Sequence, residues 1–131
     1  MTAAAVDPRR LWADLMALAE ITDTDVPYTR RSFTPRHDAG RRWLADRFEA
    51  AGLEVRLDAA GNLIGRREGE AAAAAPLVVG SHSDTVPSGG RFDGTLGILA
   101  GLEVLRAVEE AGQRLRHPVL LVDFLAEEPS E

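Results

Sequence analysis

The sequence predicts an α/β fold in which a β-hairpin is attached to a β-loop-α-β unit. Residues 77–80 and 118–125 are short, nearly continuous apolar runs, which are typical of strands buried on both faces of a sheet. Between them, residues 95–111 carry apolar side chains at helical spacing. The two strands of such a unit pair in parallel, with the helix as a right-handed crossover, whereas the strands of a hairpin are antiparallel. We therefore expect a mixed sheet.

Two further helices are predicted in the first half of the chain. Asp7-Pro8 and Thr34-Pro35 each combine a capping side chain with a proline suited to the first helical turn. The first helix should extend to about Glu20, and the second should end at Gly52.

The hairpin is predicted from the residues that follow the second helix. Residues 53–58 alternate between apolar and charged, which indicates a half-buried strand, and residues 63–66 form its partner across the turn at 59–62. Residues 68–75 are alanine-rich, which favours a surface loop, although five alanines are also compatible with an extended helix.

The pattern also predicts which side chains lie inside and which face water. We expect a core that includes Trp12, Trp43 and Phe48. The solvent-facing set consists of charged and histidine side chains on helices and loops, namely Glu103, Arg106, Glu110, His37, His117, Arg30 and Arg31. Arg30-Arg31 could alternatively bind an anionic substrate.

Composition excludes several kinds of chemistry. The chain has 131 residues and a net charge of −6, with no cysteine, and all 15 of its Lys+Arg residues are arginine. Disulfides, cysteine nucleophiles, iron–sulfur clusters and lysine Schiff bases are therefore impossible. The acidic balance disfavours nucleic acid as a partner. With no signal peptide and no long apolar segment, we expect a cytoplasmic protein that does not bind a membrane.

The negative charge is concentrated in the second half of the chain. Residues 1–67 contain 11 arginines and 10 carboxylates, whereas residues 68–131 contain 4 arginines and 11 carboxylates. A cation site should therefore be sought in the second half.

Candidate site residues follow both strands of the predicted parallel pair. The first strand is followed by His82, Asp84 and Asp93, and the second by Glu127 and Glu128. Because ligands bind at the carboxyl ends of parallel strands, these side chains should gather at one edge of the sheet. Imidazole and carboxylates are ligands for divalent metals.

Each candidate also has a purely structural interpretation. His82 could be an exposed loop histidine beside a turn-forming Asp84, and Asp93 could cap the helix that begins near Thr95. Glu127 and Glu128 could simply be a solvated pair that marks the end of a strand. A Ser-His-Asp triad within residues 81–84 is disfavoured because the residues are too close in sequence and no G-x-S-x-G elbow is present.

Longer motifs identify a protein family more specifically than the single residues and pairs considered above. Residues 80–94 (GSHSDTVPSGGRFDG), 96–103 and 126–130 (AEEPS) together resemble the hydantoinase/carbamoylase family of amidases. Residues 20–23, 28–34 and 58–63 are also similar to that family's N-terminal region. Its members include N-carbamoyl-L-amino-acid hydrolases and allantoate amidohydrolases, within the wider group of aminoacylase- and carboxypeptidase-like zinc peptidases.

The resemblance implies a zinc-dependent exopeptidase-like fold and a role for each matching residue. His82, Asp93 and Glu128 would bind two divalent metal ions (Zn, or Mn, Co or Ni), with Asp93 bridging them. Glu127 would be the general base, and Asp84 would orient His82. The substrate would be a small ureido or carbamoyl compound, and full-length members are expected to be homodimers.

The sequence departs from the family pattern in one respect, since it stops at Glu131. Two further histidine ligands and the lid and dimerisation domain are missing, so we expect residues 1–131 to be the N-terminal part of a catalytic domain that is inactive alone. The strand at 119–125 should have a partner on only one side. Two alternatives remain: a non-catalytic remnant or binding module, and an aminoacylase or peptidase of the wider group.

Overall fold

The computed structural model describes residues 3–71 and 73–129, which form three helices and four strands. In chain order these are α1 (Pro8–Ala19), α2 (Pro35–Ala50), β1 (Glu54–Leu57), β2 (Leu63–Arg67), β3 (Leu77–His82), α3 (Thr95–Glu110) and β4 (Val119–Phe124). Each predicted element is present, and the ends differ from the sequence-based bounds by only a few residues.

The first two helices begin where their capping residues predict. The Asp7 carboxylate accepts backbone N–H bonds from the first turn of α1, and Thr34 Oγ1 accepts the N–H of His37 at 3.2 Å. These bonds satisfy donors that have no partner within the helix. Gly52, with φ of +78°, follows the end of α2 and turns the chain towards β1.

The four strands form one mixed sheet in the order β1-β2-β4-β3. β1–β2 and β2–β4 are antiparallel, whereas β3 and β4 are parallel, with Ser81 opposite Asp123 and His82 opposite Phe124. The predicted hairpin and parallel pair are therefore both confirmed. The parallel pairing brings the carboxyl ends of β3 and β4 together, which is the arrangement that a site at this edge requires.

Small residues allow α3 to lie close against the sheet. A Cβ atom on Gly101 would stand 2.8 Å from Leu121 Cδ1, and one on Gly97 would stand 2.8 Å from Ser81 Cβ. Both distances are shorter than real side-chain contacts. The spacing of these glycines therefore explains how the helix that follows the site loop can approach β3 and β4.

The core lies between the helices and the sheet. Its fully buried members are large aliphatic or aromatic side chains, among them Leu18, Leu44, Phe48, Leu102 and Leu121. Phe48 confirms the prediction and Trp43 packs partly buried against the core, but Trp12 was predicted wrongly, because 55% of it is exposed. Trp12 contacts Phe92 instead, with ring centroids 6.0 Å apart.

The prediction that β3 is buried on both faces is wrong. β3 is an edge strand, and Val78 on it is 60% exposed. The expectation that residues 119–125 have a partner on one side only is also wrong, since β4 lies between β2 and β3. A continuous apolar run is typical of a buried strand, but the order of the strands in the sheet decides which of them lies at an edge.

Glu103 is a second exception to the sequence pattern. It lies on the predicted wet face of α3 yet is 1% exposed, because α1 covers that face. Its carboxylate accepts Arg10 Nε at 2.7 Å, and Arg106, which lies 3.7 Å from it, also pairs with Asp14 at 2.6 Å. A network of ion pairs therefore joins α1 to α3.

The alanine-rich stretch contains no helix within residues 68–71 and 73–75, and Ala72 lies outside the described residues. The ring of His117, which is half-buried rather than fully exposed, lies against this stretch, with Nδ1 2.8 Å from the Ala75 carbonyl oxygen. In the described ranges, no helix has both the length and the apolar character needed to cross a bilayer.

Candidate metal centre

Three of the predicted site residues lie together at the carboxyl ends of the parallel strands. His82 ends β3, Asp93 lies in the loop before α3, and Glu128 follows β4. One potential ligand atom from each lies within 4.8 Å of the others. The topology thus brings together a nitrogen and two carboxylate ligands from three separate parts of the chain.

The imidazole of His82 has a defined tautomer. Its Nδ1 lies 3.0 Å from the backbone carbonyl oxygen of Asp84 and 3.4 Å from the Asp84 carboxylate oxygen Oδ1. A carbonyl oxygen can only accept, so Nδ1 carries a hydrogen, and in the neutral ring the lone pair is on Nε2. His82 is 7% exposed, and this orientation leaves Nε2 available to a cation.

Asp84 links the ends of the two strands. Its buried carboxylate oxygen Oδ2 accepts the Ser32 hydroxyl at 2.7 Å and the backbone N–H of Glu128 at 3.0 Å. One residue therefore contacts His82 after β3 and Glu128 after β4. This contact to Glu128 could not be predicted from sequence, because it depends on the parallel pairing.

Asp93 does not cap α3, so the structural alternative for this residue is wrong. The N-cap position is Gly94, with φ of +67°, and no side chain accepts a hydrogen bond there. A Cβ atom on Gly94 would lie 2.5 Å from the His82 ring. Only glycine combines this backbone conformation with the space that His82 occupies.

Glu127 and Glu128 occupy different environments. The Glu127 side chain is 54% exposed, and its Oε2 lies 3.5 Å from His82 Nε2. Desolvation raises the pKa of Glu128, a hydrogen bond with Asp93 adds to the effect, and His82 opposes it. Burial and the neighbouring Asp93 carboxyl group thus favour the protonated form of Glu128.

This cluster differs in its arginine pairing from acidic side chains elsewhere in the molecule. Among residues 3–71 and 73–129, no arginine forms an ion pair with Asp93 or Glu128, whereas Glu103 and Asp14 are each paired with arginine. A set of one imidazole nitrogen with carboxylate oxygens suits zinc and other divalent ions. These residues therefore fit a divalent cation.

A buried polar layer lies behind the cluster, and it was not predicted from the sequence. His37 and Arg30 were predicted to face water, but they are 1% and 3% exposed. Burial lowers the pKa of His37 to about 4, with nearby Arg41 adding to the effect. Asp123, on the central strand, is fully buried, and burial raises its pKa to about 6 although Arg41 and Ser83 oppose the shift.

Asp123 had a detectable signal in the sequence, whereas Arg30 and His37 had none. Asp123 interrupts the apolar run of β4, which indicates a buried carboxylate that needs a partner. Its Oδ2 accepts the Ser83 hydroxyl at 2.9 Å and lies 3.4 Å from Arg41 Nε. Arg30 lies in a loop segment without periodicity, and His37 lies in a first helical turn. Only the tertiary structure therefore reveals that both are buried.

Comparison with known proteins gives a consistent result. The model of peptidase family M28 matches residues 62–130. The chain is 44% identical to an N-carbamoyl-L-amino acid amidohydrolase of Geobacillus stearothermophilus, over 94% of this chain and 30% of the relative. It is 33% identical to a ureidoglycolate hydrolase of Oryza sativa, over 95% of this chain and 26% of the relative.

Solved structures support the same relationship. A hydantoinase/carbamoylase family amidase from Burkholderia ambifaria superposes with a TM-score of 0.92 at 41% identity, covering 97% of this chain and 31% of that one. A tripeptidase from Staphylococcus aureus has a TM-score of 0.73 at 20% identity, covering 93% of this chain and 37% of that one, and shares the fold alone. The chain spans about 30% of the length of these curated relatives.

Proposed function

Since this chain belongs to peptidase family M28, we propose that it is the N-terminal part of the catalytic domain of a metal-dependent amidohydrolase. The proposed reaction is hydrolysis of a carbon–nitrogen bond in an N-carbamoyl amino acid or a related ureido compound such as allantoate. The observation that carries the proposal is the cluster of His82, Asp93 and Glu128 at the carboxyl ends of β3 and β4.

We assign His82, Asp93 and Glu128 as metal ligands, with Asp93 shared between two divalent ions and further ligands supplied from beyond residue 131. The Nδ1–H bond to the Asp84 carbonyl orients the His82 ring so that Nε2 is the nitrogen available to a cation, which supports this assignment. A cation bound there would polarise the substrate carbonyl and activate water. Zinc, manganese, cobalt or nickel would each suit this donor set.

Glu127 is assigned as the general base. Its exposed carboxylate lies beside His82 Nε2 but outside the group of three, so Oε2 is free to accept a proton near the reacting atoms. Asp84 holds the imidazole and the Glu128 backbone in place. The full-length protein is proposed to act on small molecules and to form a homodimer, as the resemblance implies, and the cytoplasmic location expected from the sequence is kept as part of the proposal.

A chimera tests the catalytic part of the proposal. Residues 1–131 replace the matching N-terminal 30% of the Geobacillus stearothermophilus relative, with which they are 44% identical. We expect the chimera to hydrolyse N-carbamoyl-L-amino acids and Glu127→Gln to lower kcat by about 10²- to 10⁴-fold. Glu54→Gln, on exposed β1, is the matched control and should leave kcat unchanged.

The outcomes separate the competing hypotheses. A folded chimera that hydrolyses N-acyl amino acids or peptides instead would establish the aminoacylase or peptidase alternative. A folded, metal-loaded chimera without turnover would favour the non-catalytic remnant and overturn the proposal. The isolated chain is expected to show no turnover, because it contributes only three metal ligands.

Metal titration tests the ligand assignment directly in the isolated chain. Calorimetric titration with Zn²⁺, Mn²⁺ and Co²⁺ should detect binding that Asp93→Asn and Glu128→Gln each abolish. Glu54→Gln serves again as the control. Binding that survives both ligand substitutions would show that the cation sits elsewhere.

A further inference from the structure

Arg30 lies behind the metal-ligand cluster and joins three separate segments of the chain. Its guanidinium donates from Nε to the Ser83 carbonyl at 2.9 Å, and from Nη1 to the carbonyls of Leu18 and Ile21 at 3.0 and 2.8 Å. The side chain is buried, so these three bonds replace its hydration. The guanidinium donates from two nitrogens held in one plane, an arrangement that the single nitrogen of an ammonium group cannot reproduce.

The backbone of Arg30 holds the same turn from the other side. Its N–H donates to Thr85 Oγ1 at 2.8 Å, and its carbonyl accepts the Thr85 N–H at 3.1 Å. Ser83 and Thr85 are the two neighbours of Asp84, whose carbonyl orients the His82 ring. Arg30 therefore contacts both sides of the residue that sets the imidazole tautomer.

The fold provides space for this side chain. A Cβ atom on Gly40 of α2 would lie 2.7 Å from Arg30 Cδ and 3.1 Å from Arg30 Nε. Gly40 has no unusual backbone conformation, and glycine weakens a helix relative to alanine. The absence of a side chain at this position is therefore explained by the path of Arg30.

The charge of Arg30 also matters to its buried neighbours. Asp84 and Asp123 both act on it electrostatically and oppose the effect of burial, which lowers the pKa of Arg30 to about 10. Within the described residues, Oδ1 of Asp84 and Oδ1 of Asp123 lack hydrogen-bond partners. The guanidinium thus supplies positive charge where two buried carboxylates are incompletely bonded.

We propose that Arg30 is a positioning residue of the metal centre, which holds the turn from His82 to Thr85 so that Nε2 stays available beside Asp93 and Glu128. The inference rests on the proposed function, since it assigns Arg30 a role towards the metal ligands. It replaces both earlier interpretations of Arg30, as a solvated loop charge and as an anion-binding residue.

Two substitutions test the role by different routes. Arg30→Lys keeps the charge but removes the planar pair of donating nitrogens, whereas Gly40→Ala keeps the guanidinium and displaces it at Cδ. Arg106→Lys is the matched control, because Arg106 is also a largely buried arginine, which forms an ion pair with Asp14. It lies towards the C-terminal end of α3, whereas His82 lies beside the N-terminal end. Each variant is examined for Zn²⁺ affinity by calorimetry and for the His82 tautomer by the ¹⁵N shifts of its ring in the metal-free chain.

We expect Arg30→Lys and Gly40→Ala each to weaken Zn²⁺ binding on the order of 10-fold or more, as losses behind metal ligands do. The His82 ring should change from the Nδ1–H form to a mixture of tautomers. Arg106→Lys should lower thermal stability while leaving Zn²⁺ affinity and the ¹⁵N shifts unchanged. If Arg30→Lys does not fold, Gly40→Ala decides the question.

The proposal would be overturned by folded variants of Arg30 and Gly40 that retain wild-type Zn²⁺ affinity and the wild-type tautomer. It would also be overturned if Arg106→Lys produced the same losses, since that would indicate a general effect of destabilisation. If the unaltered chain binds no Zn²⁺, the affinity comparison is made in the chimera, which supplies the remaining ligands, and the tautomer measurement in the isolated chain decides the role of Arg30.

Discussion

Two groups of acidic side chains in this molecule differ in what neutralises them. Between α1 and α3, Glu103 and Asp14 are paired with Arg10, Arg47 and Arg106 at 2.6–3.5 Å. At the carboxyl ends of β3 and β4, Asp93 and Glu128 share a site with His82 and have no arginine partner among the described residues. The first group is therefore neutralised by arginine, whereas no arginine among the described residues pairs with the carboxylates of the second.

The difference teaches how to distinguish a structural cluster from a candidate metal centre. Both clusters contain acids that are distant in sequence, so composition and proximity do not separate them. The presence of arginine does, because an arginine occupies the position and supplies the charge that a cation would otherwise provide. Substitutions in the two clusters should accordingly differ in their response to metal.

The largest effect is expected when the arginine-paired cluster is broken. Glu103→Ala leaves Arg10 without its buried partner and removes one of the two acids beside Arg106, so it should destabilise the fold by about 3–5 kcal/mol. Denaturant unfolding measures the loss, and added Zn²⁺ should not restore it. Glu110→Ala, which removes the exposed partner of Arg10, should have a much smaller effect. Equal effects of the two substitutions would contradict the comparison.

Asp123 sharpens the comparison, because it is a buried acid with only partial arginine pairing. Its folded pKa of about 6 lies above the unfolded value of 3.8, so the ionised form destabilises the fold above pH 6, and this effect disappears below pH 4. Asp123→Asn should therefore gain up to about 3 kcal/mol of stability relative to wild type between pH 4 and pH 8. Denaturant unfolding across this range, with a chelator present, checks the expectation. A pH-independent difference would show that Asp123 is fully compensated in the fold.

A smaller change in stability should accompany loss of the metal-ligand geometry. Gly94→Ala and Gly112→Ala both place alanine at a positive φ, which costs about 1–2 kcal/mol. A Cβ on Gly94 collides with His82, whereas one on Gly112 meets nothing within 4 Å. Zn²⁺ affinity should fall only in Gly94→Ala. An equal fall in both variants would place the metal away from His82.

Much of the architecture and the location of the site could be predicted from sequence. Capping pairs at Asp7 and Thr34, helical spacing in α3 and apolar runs at β3 and β4 are local signals, and each element was found. The rule that ligands bind at the carboxyl ends of parallel strands then placed His82, Asp93 and Glu128 at one edge. The structure brings these three together, and their roles remain a proposal.

The errors share one physical cause, which is that burial depends on what lies opposite a residue. Glu103 is on the polar face of its own helix but beneath α1, and Val78 belongs to an apolar strand at the edge of the sheet, where β4 is its single neighbour among the described strands. For the same reason Arg30, which was expected to face water, is buried, and Trp12, which was expected in the core, is exposed. None of these contacts lies close enough in sequence to leave a periodic signal.

The sequence by itself therefore determined the elements, the mixed sheet and the group of residues that could hold a cation, because caps, periodicity and motifs act over short distances along the chain. Only the tertiary structure decided which acids are neutralised by arginine, which strand forms the edge, and that Arg30 lies behind His82. Those outcomes depend on packing between segments separated by 50 residues or more along the chain.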